Sequence, residues 1–427
     1  MLEEGQAPRS RVGRNVIIMV MTFAGNYLAS FATFPYLTRV LGPDQFGMLA
    51  YAMAMATYAT LLTEWGFNLG GPKAVVECKG DARSINALIR SIAGAKACLC
   101  AISFVALAVL ISFDKHIAAS ASVMFWSWLG VVANVFTLYW LFQGMERFHL
   151  IAAMVIVNRV VTLPLTFLFV HGPGDVAIAA AIQSAGPLVA ALFSVAIALR
   201  FGVLRWPAVS VRAVVQRLKD GADMFVSTAS VSLFGVANTV ILASFSGTYQ
   251  VGLYAAADKI RTVGNMVPAQ LAAVLYPRIT STLKTDPKAA ARLTLIGATV
   301  TLLISIAGVG CISMFSDIAI RIVLGTQYGG ASKVLVVLCC STLFGNLAYF
   351  LGLQVLVPFG ESRKRSLVML GAGCFNVGMA LILVPRFGAM GAAVSLLIAE
   401  AIVLAAYLVS IACADRGRRY FQVALSR

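Results

Sequence analysis

Apolar runs close to the length of a bilayer crossing recur along the whole chain, and this repetition restricts the fold more than any motif does. In lipid every backbone N–H and C=O must find its partner inside the protein, so only helices and closed barrels span. The runs are continuous over about 20 residues rather than alternating with a period of two, which selects helices. Twelve spans are expected, at residues 15–38, 46–66, 88–112, 119–142, 150–170, 176–199, 222–245, 252–282, 291–315, 332–357, 366–385 and 389–413. Composition agrees, since 60% of the 427 residues are apolar and 12% charged, whereas soluble domains carry about 25% charged residues. The expected fold class is an all-α polytopic membrane protein with about twelve transmembrane helices. The first run is too long, and too closely followed by the second, for a cleavable signal peptide, so the chain is expected to be integral from its first span.

A formal net charge of +16 raises the question of nucleic acid, but the distribution of the cations answers it. With the N-terminus inside, five Lys and Arg fall outside (Arg39, Lys115, Arg321, Lys333, Arg386) and four within spans (Lys96, Arg159, Lys259, Arg261). The rest gather in cytoplasmic segments. That is the positive-inside bias, and with an even number of spans it places both termini in the cytoplasm.

The longest polar interruption, Arg200 to Gly221, carries Arg200, Arg205, Arg212, Arg217 and Lys219, while Val211, Val214, Val215 and Leu218 recur at helical spacing. It reads as an amphipathic helix on the cytoplasmic surface. The expected organisation is an N-terminal six-helix lobe (1–200), this linker (201–221) and a C-terminal six-helix lobe (222–427). The two halves also match at an offset of 205 residues: Gly42-Pro43-Asp44-Gln45-Phe46-Gly47-Met48 aligns with Gly247-Thr248-Tyr249-Gln250-Val251-Gly252-Leu253. Each copy is expected to form a tight outside turn between the first two spans of its half. An even number of helices in the offset gives the halves one orientation, related by an axis along the membrane normal.

Signatures of catalysis fail. Gly325 to Gly330 has the glycine spacing of a phosphate loop but is followed by Ala331 instead of Lys, so no side chain would reach the terminal phosphates. Gly371 and Gly373 begin a dinucleotide fingerprint that Asn376 breaks. Seven of the eight cysteines (Cys98, Cys100, Cys311, Cys339, Cys340, Cys374, Cys413) lie in or beside spans, without Cys-x-x-Cys or Cys/His ligand spacing. Neither a disulfide framework nor a metal site is expected. His116, His149 and His171 read as surface residues near membrane edges. No enzyme activity, catalytic residue or cofactor is expected.

Charges inside the spans carry more information, because a charge at the bilayer centre costs roughly 2.5 to 3.5 kcal/mol on insertion scales and persists where it faces a wet cavity or a partner. Arg159, beside Asn158, lies near the middle of the fifth span and reads either as an anion site or as a buried pair. Asp258, Arg261 and Asn265 fall at i, i+3 and i+7 of the eighth span, with Lys259 beside them. Asp258 can neutralise one of the two cations, which leaves a net positive charge; the alternative is a local helix pair. Glu400, near the centre of the last span, and Glu64, at the inner end of the second, read as proton- or sodium-coupling carboxylates or as structural charges. Lys96 is expected to snorkel toward the cytoplasmic interface.

Several segments resemble the Wzx-type polysaccharide flippases, transporters of O-antigen and exopolysaccharide repeat units within the multidrug/oligosaccharidyl-lipid/polysaccharide exporter superfamily. The resemblance is carried by Tyr36 through Gly47, Glu64-Trp65-Gly66-Phe67-Asn68-Leu69, Trp140 through Arg147, Gly252 through Lys259 and Asn376 through Glu400, in family order along nearly the whole chain. It implies two six-helix lobes around a central cavity that opens to each side in turn. It also implies a bacterial inner-membrane location and a substrate in which pyrophosphate joins an oligosaccharide to a polyprenyl lipid. A coupling ion, proton or sodium, would drive transport, and a polysaccharide polymerase is a further partner; nucleic acid is not. The family's motif carries over to Arg39, Glu64, Asn68, Gln143, Glu146, Asp258 and Lys259, with Glu64 standing where the family usually has Asp. Cationic Lys259, Arg261, Arg159 and Arg39, with Asn265, would suit the pyrophosphate and sugar, and Glu64, Asp258 and Glu400 the coupling ion. A multidrug antiporter of the same superfamily is the alternative, and its organic cations would favour a cavity of carboxylates and aromatics.

Overall fold

Gly42 and Gly247, the first residues of the two repeat copies, have the same backbone: φ 70°, ψ 173° and φ 80°, ψ 171°. A positive φ is open to glycine at little steric cost, and at Gly42 the following Pro43 further excludes a helical conformation. Each glycine therefore bends a long helix by a single residue, so that two spans follow one another without a loop. The computed structural model describes residues 9–113, 120–204, 210–413 and 420; Lys115, His116 and Arg205 lie outside the described residues.

In chain order the helices are α1 (Arg9–Glu64), α2 (Phe67–Glu77), α3 (Ala82–Phe113), α4 (Ala121–Phe136), α5 (Tyr139–Gly144), α6 (Phe148–Phe169), α7 (Val176–Arg200), α8 (Val211–Gly264), α9 (Met266–Thr285), α10 (Pro287–Val323), α11 (Ala331–Leu351) and α12 (Ser362–Cys413). Among the described residues there is no strand. The expected spans all fall on these helices. Among the described residues, eight helical stretches are long and apolar enough to cross a membrane, from Ala32–Glu77 to Ser362–Cys413. The longest of them hold two expected crossings, with α12 bending at Gly388 as α1 does at Gly42.

Two expected spans are broken within themselves. The eighth divides at Gly264 and Asn265 into α8 and α9. Pro268, buried on the first turn of α9, has no N–H for the Gly264 carbonyl four residues earlier, and its ring crowds that carbonyl. The fourth divides at Thr137, which is extended at φ −80°, ψ 120°, between α4 and α5.

The chain forms two compact units. The first comprises Met1–Leu41 and Ala52–Ala229, the second Gly42–Tyr51 and Ser230–Arg427. In the first, Phe67, Ile85, Leu88, Ile92, Trp140, Phe142 and Met154 make the core. Trp65 closes it: its Nε1 donates to the Leu218 carbonyl at 2.7 Å and its ring stacks on Phe225 at 4.2 Å. Residues from the 211–221 segment are thus tied into the unit, as the start of the continuous helix α8. Asp81 caps α3 by accepting from the Ser84 hydroxyl and amide and the Arg83 amide, bonds that hold its carboxyl below the usual range. In the second unit, Leu351, Val355, Leu356, Ala372, Val403 and Tyr407 pack together. Leu192, Val160, Met314 and Ile322 are exposed, as apolar side chains facing lipid should be.

Within the second unit the repeat copies meet. Gly47 lies against Thr248 and Gly252, and Gly252 lies against Pro43, so closely that a Cβ at either position would collide with backbone. Thr248 Oγ1 donates to Asp44 Oδ1 at 3.3 Å across the same contact.

Candidate functional site

The second unit gathers charge where α8 ends and α12 passes its middle. Asp258 and Arg261 are one helical turn apart, with Arg261 Nε and Nη2 each 2.7 Å from Asp258 Oδ1. Their side chains are 26% and 16% exposed, so water screens this pair less than it does a surface bridge. Arg261 lines a cavity of about 260 Å³ together with Arg365, Glu400, Gly345, Tyr349 and Tyr407. The Tyr407 hydroxyl donates to the Arg365 carbonyl at 3.3 Å. Arg365 Nε is buried without a hydrogen-bond partner among the described residues. Opposite, the Glu400 carboxylate rests on the bare Cα of Gly345, where a Cβ would come within 2.9 Å of the carboxylate carbon. Two guanidiniums and one carboxylate around a small cavity can hold an oxyanion through forked, charge-assisted bonds, with the carboxylate available to a cation or proton.

The remaining cations named from sequence are distributed more widely. Lys259 is exposed, and at two residues from Arg261 it lies roughly 200° around the helix, on a different face. Asn265 sits at the α8–α9 break, where its Oδ1 accepts from Asn346 Nδ2 at 3.3 Å; Asn346 also donates to Ser305 Oγ at 3.0 Å. Arg159 is half-buried on α6 and Arg39 exposed on α1. Of the family-motif positions, Asn68 is half-buried, while Gln143 and Glu146 are exposed, Glu146 with φ 56° in the turn before α6. His149 and His171 are exposed.

Lys96 departs from its expectation. Instead of snorkelling it is 1% exposed, and its Nζ donates to both the carbonyl and the Oδ1 of Asn134 at 3.2 Å. Asn134 Nδ2 in turn donates to Glu64 Oε1 at 2.9 Å. The Asn134 carbonyl, which also accepts from the Thr137 amide at 3.3 Å, lies in the last turn of α4, where the negative end of the helix dipole favours a cation. Glu64, Asn134 and Lys96 thus form a charged bridge inside the first unit. Asn134 was not singled out from sequence, although an amide within an apolar run is the signal that marks it. Arg365 carries no such signal, because it sits in the run Arg363-Lys364-Arg365, which reads as charge at the end of a span.

A family model described as "Polysaccharide biosynthesis protein" matches residues 12–283. The chain belongs to this family. It is 30% identical over 403 residues to a protein of Escherichia coli (strain K12) named "Putative O-antigen transporter", covering 91% of this chain and 94% of that one. Among solved structures, the lipid II flippase MurJ in an inward closed conformation superposes with a TM-score of 0.75 at 13% identity, over 96% of this chain and 90% of MurJ. An inward-facing multidrug resistance MATE family transporter of the MOP superfamily gives 0.68 at 16%, over 93% and 95%. These two likenesses establish the fold.

Proposed function

We propose that the protein flips a polyprenyl-pyrophosphate-linked oligosaccharide from the inner to the outer leaflet of the bacterial cytoplasmic membrane, by ion-coupled alternating access, for assembly of a surface polysaccharide. The observation that carries this reading is the paired-arginine cavity of the second unit. Arg261 and Arg365 offer forked donors to a pyrophosphate, and Arg365 Nε has no other partner among the described residues. A drug-cation exporter has no use for two guanidiniums at its site, so the cavity favours the anionic lipid over the multidrug alternative. The likeness to the E. coli transporter supports the same class of substrate.

In this reading Arg261 and Arg365 engage the pyrophosphate, while Lys259, Arg159 and Arg39 present further cations along the path of the head group and Asn265 orders the α8–α9 break beside it. Glu400 is the leading coupling carboxylate, since it shares the cavity with both arginines; Asp258, bonded to Arg261, and Glu64, in the first unit, are the others. Both termini lie in the cytoplasm, as the cation distribution requires. The test is a reconstituted system in which a fluorescent polyprenyl-pyrophosphate saccharide is placed in vesicles and quenched from outside. Vesicles with the protein should expose the inner-leaflet probe faster than empty vesicles, and an imposed proton or sodium gradient should change the rate. Equal rates with and without protein would overturn the assignment, and efflux of organic cations in place of the lipid would establish the multidrug alternative.

A further inference from the structure

The first unit holds a second cavity of opposite character. It has a volume of about 350 Å³ and is lined by Asn134, Asn158, Gln183, Ser127 and Tyr139 among other residues, none of them Asp, Glu, Lys, Arg or His. Small-molecule clefts begin at about this size. Three hydroxyls of its walls spend their protons on nearby carbonyls: Thr57 on Met53, Thr137 on Ala133, Ser184 on Ser127. Their oxygens are left as acceptors. The side-chain amides of Asn158 and Gln183 bond to no protein group among the described residues, and Ser127 Oγ is buried with none either. Unsatisfied polar groups within membrane-spanning helices cost several kcal/mol unless water or a ligand completes them.

We propose that this cavity is a binding subsite for the uncharged saccharide of the substrate, an inference that rests on the flippase reading. A phosphate would seek the arginines of the other unit, and a metal cation would seek carboxylates; neither lines this wall. A sugar ring presents hydroxyls that both donate and accept, which amides and hydroxyl oxygens complement, and its C–H face can lie on the Tyr139 ring. Asn134 is held for this purpose by groups outside the cavity. Its Nδ2 is drawn to Glu64 and its Oδ1 to Lys96, so the amide cannot rotate and its second N–H keeps one direction. Glu64 and Lys96 are positioning residues here, acting through Asn134.

The experiment measures binding of lipids to full-length protein in nanodiscs. The probes are polyprenyl pyrophosphates carrying one hexose, one N-acetylhexosamine or one 6-deoxyhexose, with the bare polyprenyl pyrophosphate as reference. The wild type should bind at least one glycosylated probe more tightly than the bare lipid. Asn158→Ala and Gln183→Ala should each erase that preference by about tenfold while changing affinity for the bare lipid by less than twofold. Glu64→Ala should lose the preference and Glu64→Gln, which keeps an acceptor for Asn134, should retain it; a purely structural role would lower bare-lipid affinity in step. The subsite is overturned if no glycosylated probe outbinds the bare lipid, or if the two cavity variants weaken both kinds of lipid equally. Failure of the wild type to bind any of the four lipids would instead overturn the flippase reading, and the subsite with it.

Discussion

Gly47 and Gly252, 205 residues apart in the sequence, pack against one another's turns: a Cβ on Gly47 would stand 2.7 Å from the Gly252 amide nitrogen, and one on Gly252 would stand 2.8 Å from the Pro43 carbonyl carbon. Equivalent positions of the two repeat copies thus make equivalent contacts. The atoms in the way are backbone, which cannot swing aside as a side-chain end can. Gly47→Ala and Gly252→Ala should each destabilise the protein by about 1 to 3 kcal/mol, the usual cost of overpacking, read as a lower Tm in detergent. Alanine at Gly235, where an added methyl meets open space, should be tolerated, and equal Tm values for all three variants would refute the close approach.

Glu400 and Gly345 form the corresponding contact at the charged cavity. Gly345→Ala should push the carboxylate away from its seat and lower flipping several-fold while membrane insertion is retained. Glu400→Gln should remove the dependence of flipping on an imposed ion gradient. A Glu400→Gln protein that still responds to the gradient as the wild type does would exclude Glu400 from coupling.

Arg261 lies between Asp258 and the cavity, and its guanidinium fork can satisfy both. Arg261→Ala should reduce flipping at least tenfold, and Arg261→Lys should recover only part of it because an ammonium is a point donor rather than a fork. Lys259→Ala, on another helix face, should give a milder loss. Wild-type rates in both alanine variants, measured with the vesicle quenching assay, would remove the cationic site.

Lys96 should matter for stability before it matters for transport. Lys96→Met leaves Asn134 Oδ1 without its donor and takes one of two donors from the Asn134 carbonyl, and the loss is expected at about 1 to 3 kcal/mol. Adding Glu64→Gln to Lys96→Met should recover part of it, since the double variant no longer leaves one charge unpaired. Additive losses in thermal unfolding would show that Lys96 and Glu64 are not coupled through Asn134.

Much of the architecture was legible because the bilayer leaves so little choice. Apolar runs of crossing length must be helices, and the expected spans fall on helices, two of them interrupted. Gly42 and Gly247 were legible as turns because the repeat places glycine at the same point of each copy. The breaks at Thr137 and Gly264 escaped, since hydropathy sees only that the segment remains apolar; Pro268 marked the second of them without giving its consequence. Asp258 and Arg261 at i, i+3 did pair as helical spacing permits.

The sequence by itself determined the all-helical membrane class, the repeat and the presence of charges too costly to be idle, because each follows from local transfer energies and from periods along the chain. Only the tertiary structure decided which charges meet. Arg365 and Glu400, a long way apart on α12, share a cavity with Arg261 of α8, Lys96 turns inward to the carbonyl and side chain of Asn134 near the end of α4, and Lys259 parts from Arg261 around the helix. Such groupings depend on distances between residues far apart in the chain, which composition and spacing do not encode.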